Sequence, residues 1–297
     1  MESPLPSWIT LFAAVTIFAV MLSLGLLLGR EQIAAALQRR MVIAAILFAV
    51  VIPVPVLAVL FVKLLGLKGA VAAGIILMSI SPGAPVALRR AIEVGRGAQF
   101  APALHLAIVA LAVITIPLSM AVLDAIFDKD FAVSPLHVAR QVFFAQLLPL
   151  GLGAGFRALA PRAAAWLEPR LARAANFLLL AFLAALVYAL WGMLAEIGWM
   201  PTVAGVVLTA GALVVGEAVA WRDPAVRAAA AVAAAMRNPG LALVIATVNH
   251  LPSRVTAAVF GYALGALAVV TAYVAWRVRG QRRAAGADEA RAGGIGT

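Results

Sequence analysis

Two short stretches hold most of the chemically capable residues in an otherwise apolar chain. One is Met78-Ser79-Ile80-Ser81-Pro82-Gly83-Ala84-Pro85; the other is Ala234-Ala235-Met236-Arg237-Asn238-Pro239-Gly240-Leu241. Arg237 is the sharpest residue. A guanidinium stays charged and presents a planar fork of donors that suits carboxylate, sulfonate or phosphate. Deep in an apolar segment such a group is costly, which makes it a functional candidate. It can anchor an anionic substrate or stand as a tethered cation. The structural alternative is an ion pair, with Glu217 the obvious partner. Asn238 can cap the half-helix after it or touch substrate. Ser79 and Ser81 can likewise cap or bind. Each Pro-Gly pair ends regular helix. Half-helices starting after Pro82 and Pro239 would offer free N–H groups and the positive dipole end to an anion. The expected substrate-binding set is therefore Arg237, Asn238, Ser79, Ser81, Pro82, Gly83, Pro239 and Gly240.

Two further residues, Glu217 and His105, could take up and release protons. Glu217 is an intramembrane carboxylate, but it lies close to Trp221, Arg222 and Arg227, and an interface role is the favoured reading. His105 sits among apolar neighbours, and a neutral imidazole bonded to backbone is favoured over a proton relay. Gln141 and Gln146 can face a cavity. Arg89 and Arg90 can steer anions, though ordinary anchoring by basic residues at the inner face is favoured. No metal site is expected: cysteine is absent, and His105, His137 and His250 are scattered. No cofactor is expected. There is no Ser-His-Asp pattern at usable spacing, no phosphate-cradling loop and no paired catalytic carboxylates, so the chain does not read as an enzyme.

The elements that position these residues must lie in a bilayer. The chain of 297 residues is 65% hydrophobic and only 12% charged, far from the balance of a soluble domain. The net charge of +11 fits basic inner loops better than nucleic-acid binding, because no basic stretch interleaves aromatics. Met-Glu-Ser-Pro lacks the basic start of a signal peptide, so residues 8–29 are expected to stay as a span.

Spans need roughly 20 apolar residues. The sequence offers nine, at about 8–29, 41–62, 70–88, 100–123, 136–156, 174–195, 200–221, 226–248 and 255–276. With the N-terminus outside, 17 Lys and Arg fall on the inner side against four (Lys63, Lys68, Lys129, Arg254) on the outer, which predicts an outer N-terminus and an inner C-terminus. Spans 1–4 and 6–9 each carry the break in their third member, and one span joins them. That pattern predicts an inverted repeat (about 8–125 and 174–276) in one transmembrane domain over 1–276, with both breaks near the midplane. The stretch 277–297 is expected as a disordered basic tail, its start lying against anionic headgroups.

The two breaks resemble those of the bile acid:sodium symporter family. Ser81-Pro82-Gly83-Ala84 resembles its first Pro-Gly-rich break, and Gly95-Arg96-Gly97 with the apolar span to Pro117 resembles the family's segment after that break. Ala233 to Ala242 resembles its Glu-x-x-Met-Gln-Asn-x-Gly-Leu-Ala pattern. The resemblance covers about residues 10–276. It implies an all-α fold with a panel of spans 1, 5 and 6 and a core in which broken spans 3 and 8 cross. It also implies a solute-transport role. Where the family places sodium-binding Glu and Gln, this chain has Ala233 and Arg237. Ala87 and Leu88 replace a Ser and an Asn, and Phe48 replaces a Gln. Ala, Leu and Phe side chains offer sodium no oxygen, and Arg237 brings a fixed positive charge. Sodium is therefore a doubtful partner.

The expected function is alternating-access transport of organic anions, bile-acid-like or small carboxylates, independent of sodium. Two alternatives stand beside it: sodium-coupled symport, with carbonyls making up lost ligands, and a non-transporting membrane sensor of solutes. Expected partners are a small organic anion and the bilayer. The Ala- and Arg-rich composition suggests a bacterial cytoplasmic membrane.

Overall fold

The architecture was read from a computed structural model, which describes residues 7–84, 90–91, 94, 100–126 and 134–293. The described residues are nearly all helical. The helices are α1 (Ser7–Gly25), α2 (Arg30–Gln38), α3 (Arg40–Val51), α4 (Pro53–Leu64), α5 (Gly69–Ser79) and α6 (Ala101–Ile126). They continue with α7 (Pro135–Val142), a π-helical turn (Phe143–Leu147), α8 (Leu148–Leu159), α9 (Pro161–Ile197) and α10 (Met200–Val219). The chain ends with α11 (Pro224–Ala235), α12 (Pro239–Val248) and α13 (Ser253–Gly293).

Among the described residues, seven segments are long and apolar enough to cross a membrane: Trp8–Gly25, Arg40–Leu64, Ala101–Val122, Leu136–Leu159, Pro161–Ala189, Met200–Val219 and Ser253–Gln281. Their outward faces are greasy. Leu11, Phe48, Leu60, Ile114, Leu118, Phe177 and Leu180 are all exposed, as lipid contact requires and water would penalise. The protein is a multi-pass, all-α membrane protein. The third and eighth expected spans are absent from these seven because each is broken into shorter pieces, α5 before one break and α11 and α12 around the other.

Helix association in lipid has no hydrophobic driving force, so close backbone packing at small residues does that work. A Cβ added at Gly205 of α10 would lie 2.1 Å from the Tyr262 carbonyl oxygen of α13, and one at Gly265 of α13 would lie 2.2 Å from that of Thr202. The same closeness joins α1 to α8, where a Cβ at Gly153 would lie 2.4 Å from the Leu22 oxygen. Helix α1 packs on α8 and α9, whereas α10 packs on α11 and α13, and α5 on α13.

The tail expectation needs correction. Helix α13 runs through Arg277 to Gly293 without a break. Ala and Arg are strong helix formers, and a helix already nucleated in the membrane extends at little cost. The N-terminal part of this extension is tied down: the Gln281 amide donates to the Val94 carbonyl at 2.7 Å.

Candidate functional site

Both breaks form where the sequence removes helical backbone bonding, and they meet. Helix α5 ends at Ser79, and Gly83 adopts φ +83°, a left-handed conformation that a side chain resists. On the other side Met236 and Asn238 are extended between α11 and α12. Pro82 and Arg237 form an antiparallel bridge, and the Asn238 N–H donates to the Ser81 carbonyl at 2.8 Å. Irregular backbone at membrane depth is tolerable only when its polar groups find protein partners, and each break supplies the other's.

Asn238 holds the crossing together. Its Oδ1 accepts from the Leu241 N–H at 3.1 Å and so caps α12. Its Nδ2 donates to the Gly83 carbonyl at 3.2 Å and to Gln146 Oε1 at 3.4 Å. Pro239 has no N–H, and the Leu241 and Ala242 N–H groups are taken by Asn238. The Gly240 N–H is left as a free donor among the described residues. Ser79 and Ser81 are both buried. Their hydroxyls donate back to the Ile76 and Leu77 carbonyls, each at 2.7 Å, and neither caps a half-helix.

Arg237 is 3% exposed. Its Nη1 donates to the Val50 carbonyl at 3.0 Å and its Nη2 to the Ala234 carbonyl at 2.9 Å. Its Nε has no partner among the described residues. Glu217 is not its partner. That carboxylate instead accepts from Tyr273 Oη and from Arg277, both on α13, at the end of α10. Glu217 thus joins α10 to α13 through Arg277 and Tyr273.

Phe48 needs correction as well. It is 57% exposed on α3, so its side chain is turned away from the crossing. The same helix reaches the site two residues later through the Val50 carbonyl, a contact that no side-chain pattern encodes. Ala87, Leu88 and the Gly95-Arg96-Gly97 run lie outside the described residues. Gln146 is fully buried, and its placement comes from the π-helical turn Phe143–Leu147, a feature often found at functional sites. Gln141 lies farther along the same span, accepting from Asn249 Nδ2 at 3.0 Å.

Two cavities flank the crossing. The larger, about 230 Å³, lies among α1, α9, α12 and α13 and is lined by Thr16, Met78, Ala84, Phe182, Leu186, Met236, Arg237, Asn238, Pro239, Gly240, Phe260 and further apolar residues. The smaller, about 20 Å³, is lined by Gly83, Ala91, Ala101, Leu104, His105, Ile108 and Ala233. His105 is buried there, and its Nε2 has no partner among the described residues. Among the described residues no cluster of three His, Cys, Asp or Glu could hold a metal ion. The Val50 and Ala234 carbonyls, which could ligate a cation, receive the Arg237 guanidinium.

No curated protein matches the chain. A family model does, and its match takes in the first break and the connecting span but ends before the second break. Over residues 14–197, more than half its length, the chain matches the Sodium Bile acid symporter family, and it belongs to that family.

Proposed function

We propose that the protein is a secondary transporter of organic anions that works by alternating access without sodium. The observation that carries this reading is the buried guanidinium of Arg237, bonded to the Val50 and Ala234 carbonyls at the crossing of the two breaks. A cation fixed to the chain satisfies oxygens that a mobile cation would otherwise need to satisfy, and it keeps the crossing positive in every state of the cycle. The larger cavity gives the anion its place. Its walls are mostly apolar, with Arg237, Asn238 and Gly240 among the residues that line it. An amphipathic anion would put its apolar body against Phe182, Leu186 and Phe260 and its charged head toward the α12 N-terminus.

In this reading α1, α8 and α9 form the panel, and the crossing belongs to the core that rocks against it. The larger cavity lies on that boundary, with α1 and α9 on one side and α12 and α13 on the other. The basic inner loops support an outer N-terminus and a cytoplasmic C-terminus in a bacterial cytoplasmic membrane.

Thermal unfolding of the purified protein tests the reading. Taurocholate and octanesulfonate should raise the transition equally in sodium and choline buffer, since a ligand of the folded state stabilises by RT ln(1 + [L]/Kd). Stabilisation by sodium alone, or by anions only when sodium is present, would favour ordinary sodium symport. Tight anion binding with no movement across a vesicle membrane would favour a sensor.

A further inference from the structure

From the smaller cavity we infer that His105 is the proton site that couples anion transport to a pH gradient; the inference rests on the transport reading above. His105 is buried, its Nε2 has no partner among the described residues, and it lines a small cavity of about 20 Å³, room for about one water molecule. The cavity touches both breaks or their flanks, through Gly83 on one side and Ala233 on the other. The larger cavity touches the same elements a step or a few along, through Ala84 and through Met236 and Arg237. The proton site and the anion site therefore both border the crossing.

The surroundings make the proton conditional. Helices α2, α3 and α7 and the π-helical turn pack on α6, and Ala233 of α11 lines the cavity. Their titratable and charged groups are engaged or turned away. Arg30, Glu31, Arg40, His137 and Arg140 are exposed. Arg39 pairs with Asp223, Arg227 donates to the Trp221 carbonyl, and Arg237 is bound to its two carbonyls. Arg90 precedes Ala91 in the chain, and Glu93 lies outside the described residues. Among the described residues no carboxylate lines the cavity. An imidazolium there would be a cation in apolar surroundings without a counter-charge among the described residues of its walls, which is costly. A substrate anion in the adjoining cavity supplies that counter-charge. Proton and anion then occupy the closed state together, and the empty carrier returns with a neutral imidazole. One proton moves with each monoanion, and the charge on Arg237 is constant throughout.

The test uses the full chain in proteoliposomes, with taurocholate and octanesulfonate as probes. Both are sulfonates, so neither partitions across a pH gradient as a neutral acid. An inside-alkaline gradient should drive the wild type to accumulate probe several-fold above its equal-pH level, and His105→Gln should lose that accumulation. Counterflow at equal pH, which needs exchange but no net proton movement, is the comparison that a merely structural role for His105 would not separate from accumulation. Wild-type counterflow without gradient-driven accumulation would overturn the coupling and leave the transport reading standing. So would gradient-driven accumulation by His105→Gln equal to that of the wild type. Absence of wild-type counterflow with both probes would overturn the transport reading and the coupling with it. Counterflow by His105→Gln shows that the variant folds; should it fail, His105→Asn is measured in the same two assays, and the wild-type outcomes stand independently of either variant.

Discussion

The backbone N–H of Asn238 donates to the carbonyl of Ser81 at 2.8 Å, and this one bond ties two breaks that lie more than 150 positions apart in the sequence. Two interrupted helices in hydrocarbon would each leave polar backbone unsatisfied, at several kcal/mol per group. Crossed antiparallel, each offers the other what water would offer outside the membrane.

The side chain of Asn238 should matter through both its ends, and two substitutions separate them. Asn238→Asp keeps the oxygen that caps α12 but loses the donors to Gly83 and Gln146. Asn238→Ala loses both. Loss of an N-cap costs about 1 kcal/mol, and each buried acceptor left unpaired costs about 1–3 kcal/mol. Thermal unfolding in detergent should therefore rank wild type above both variants. A transition unchanged in Asn238→Ala would show that the crossing does not depend on this side chain.

Arg237 and Ala233 give a gain-of-function test. Where the family pattern carries Glu and Gln, the chain carries Ala233 and Arg237, and the guanidinium occupies the Val50 and Ala234 carbonyls. The double substitution Ala233→Glu with Arg237→Gln removes the tethered cation, frees those carbonyls and adds a carboxylate. Sodium should then raise the unfolding transition of the double variant above its value in choline, while the wild type shows no difference. A sodium response already present in the wild type would refute the idea that Arg237 has displaced the ion.

Much of this is legible in the sequence, because Pro-Gly pairs inside apolar spans have few physical readings. Pro82-Gly83 and Pro239-Gly240 mark the breaks, and Arg237 and Asn238 mark the crossing. The bonding partners are not legible. Arg237 is held by the Val50 and Ala234 carbonyls, and carbonyls leave no trace in residue type. Glu217 reads as available to Arg237 because both are intramembrane charges, but α13 brings Arg277 and Tyr273 to the carboxylate first. Gln146 reads as a cavity residue, whereas its contact with Asn238 depends on a π-helical turn, and nothing in Phe143-Phe144-Ala145-Gln146-Leu147 announces that extra residue per turn.

The Glu217 cluster gives a contrasting prediction. It joins the end of α10 to the middle of α13, and its Arg277 and Glu217 side chains are partly open to solvent. Partly exposed ion pairs contribute little, about 0–1 kcal/mol. Glu217→Gln should lower the unfolding transition slightly and leave anion-induced stabilisation intact. Loss of anion binding in this variant would bring Glu217 back as a functional carboxylate.

The close helix contacts predict where the fold fails. At Gly205 an added Cβ would lie 2.1 Å from the Tyr262 carbonyl oxygen, and the obstacle is backbone, which cannot rotate aside as a side chain can. Gly205→Val should separate α10 from α13 and sharply reduce the yield of monodisperse protein in detergent. Gly192→Val is the control, because a Cβ there meets nothing within 4 Å. Similar yields for the two would show that the α10–α13 contact is not needed for folding.

Membrane orientation can be settled without background, because the chain has no native cysteine. Lys68 lies in the loop before α5, and Arg283 lies on the extension of α13 beyond the span. With basic inner loops facing the cytoplasm, Lys68→Cys in intact cells should react with an impermeant maleimide. Arg283→Cys should react only after the membrane is opened. The reverse pattern would invert the molecule, and with it the side from which an inside-alkaline gradient loads His105.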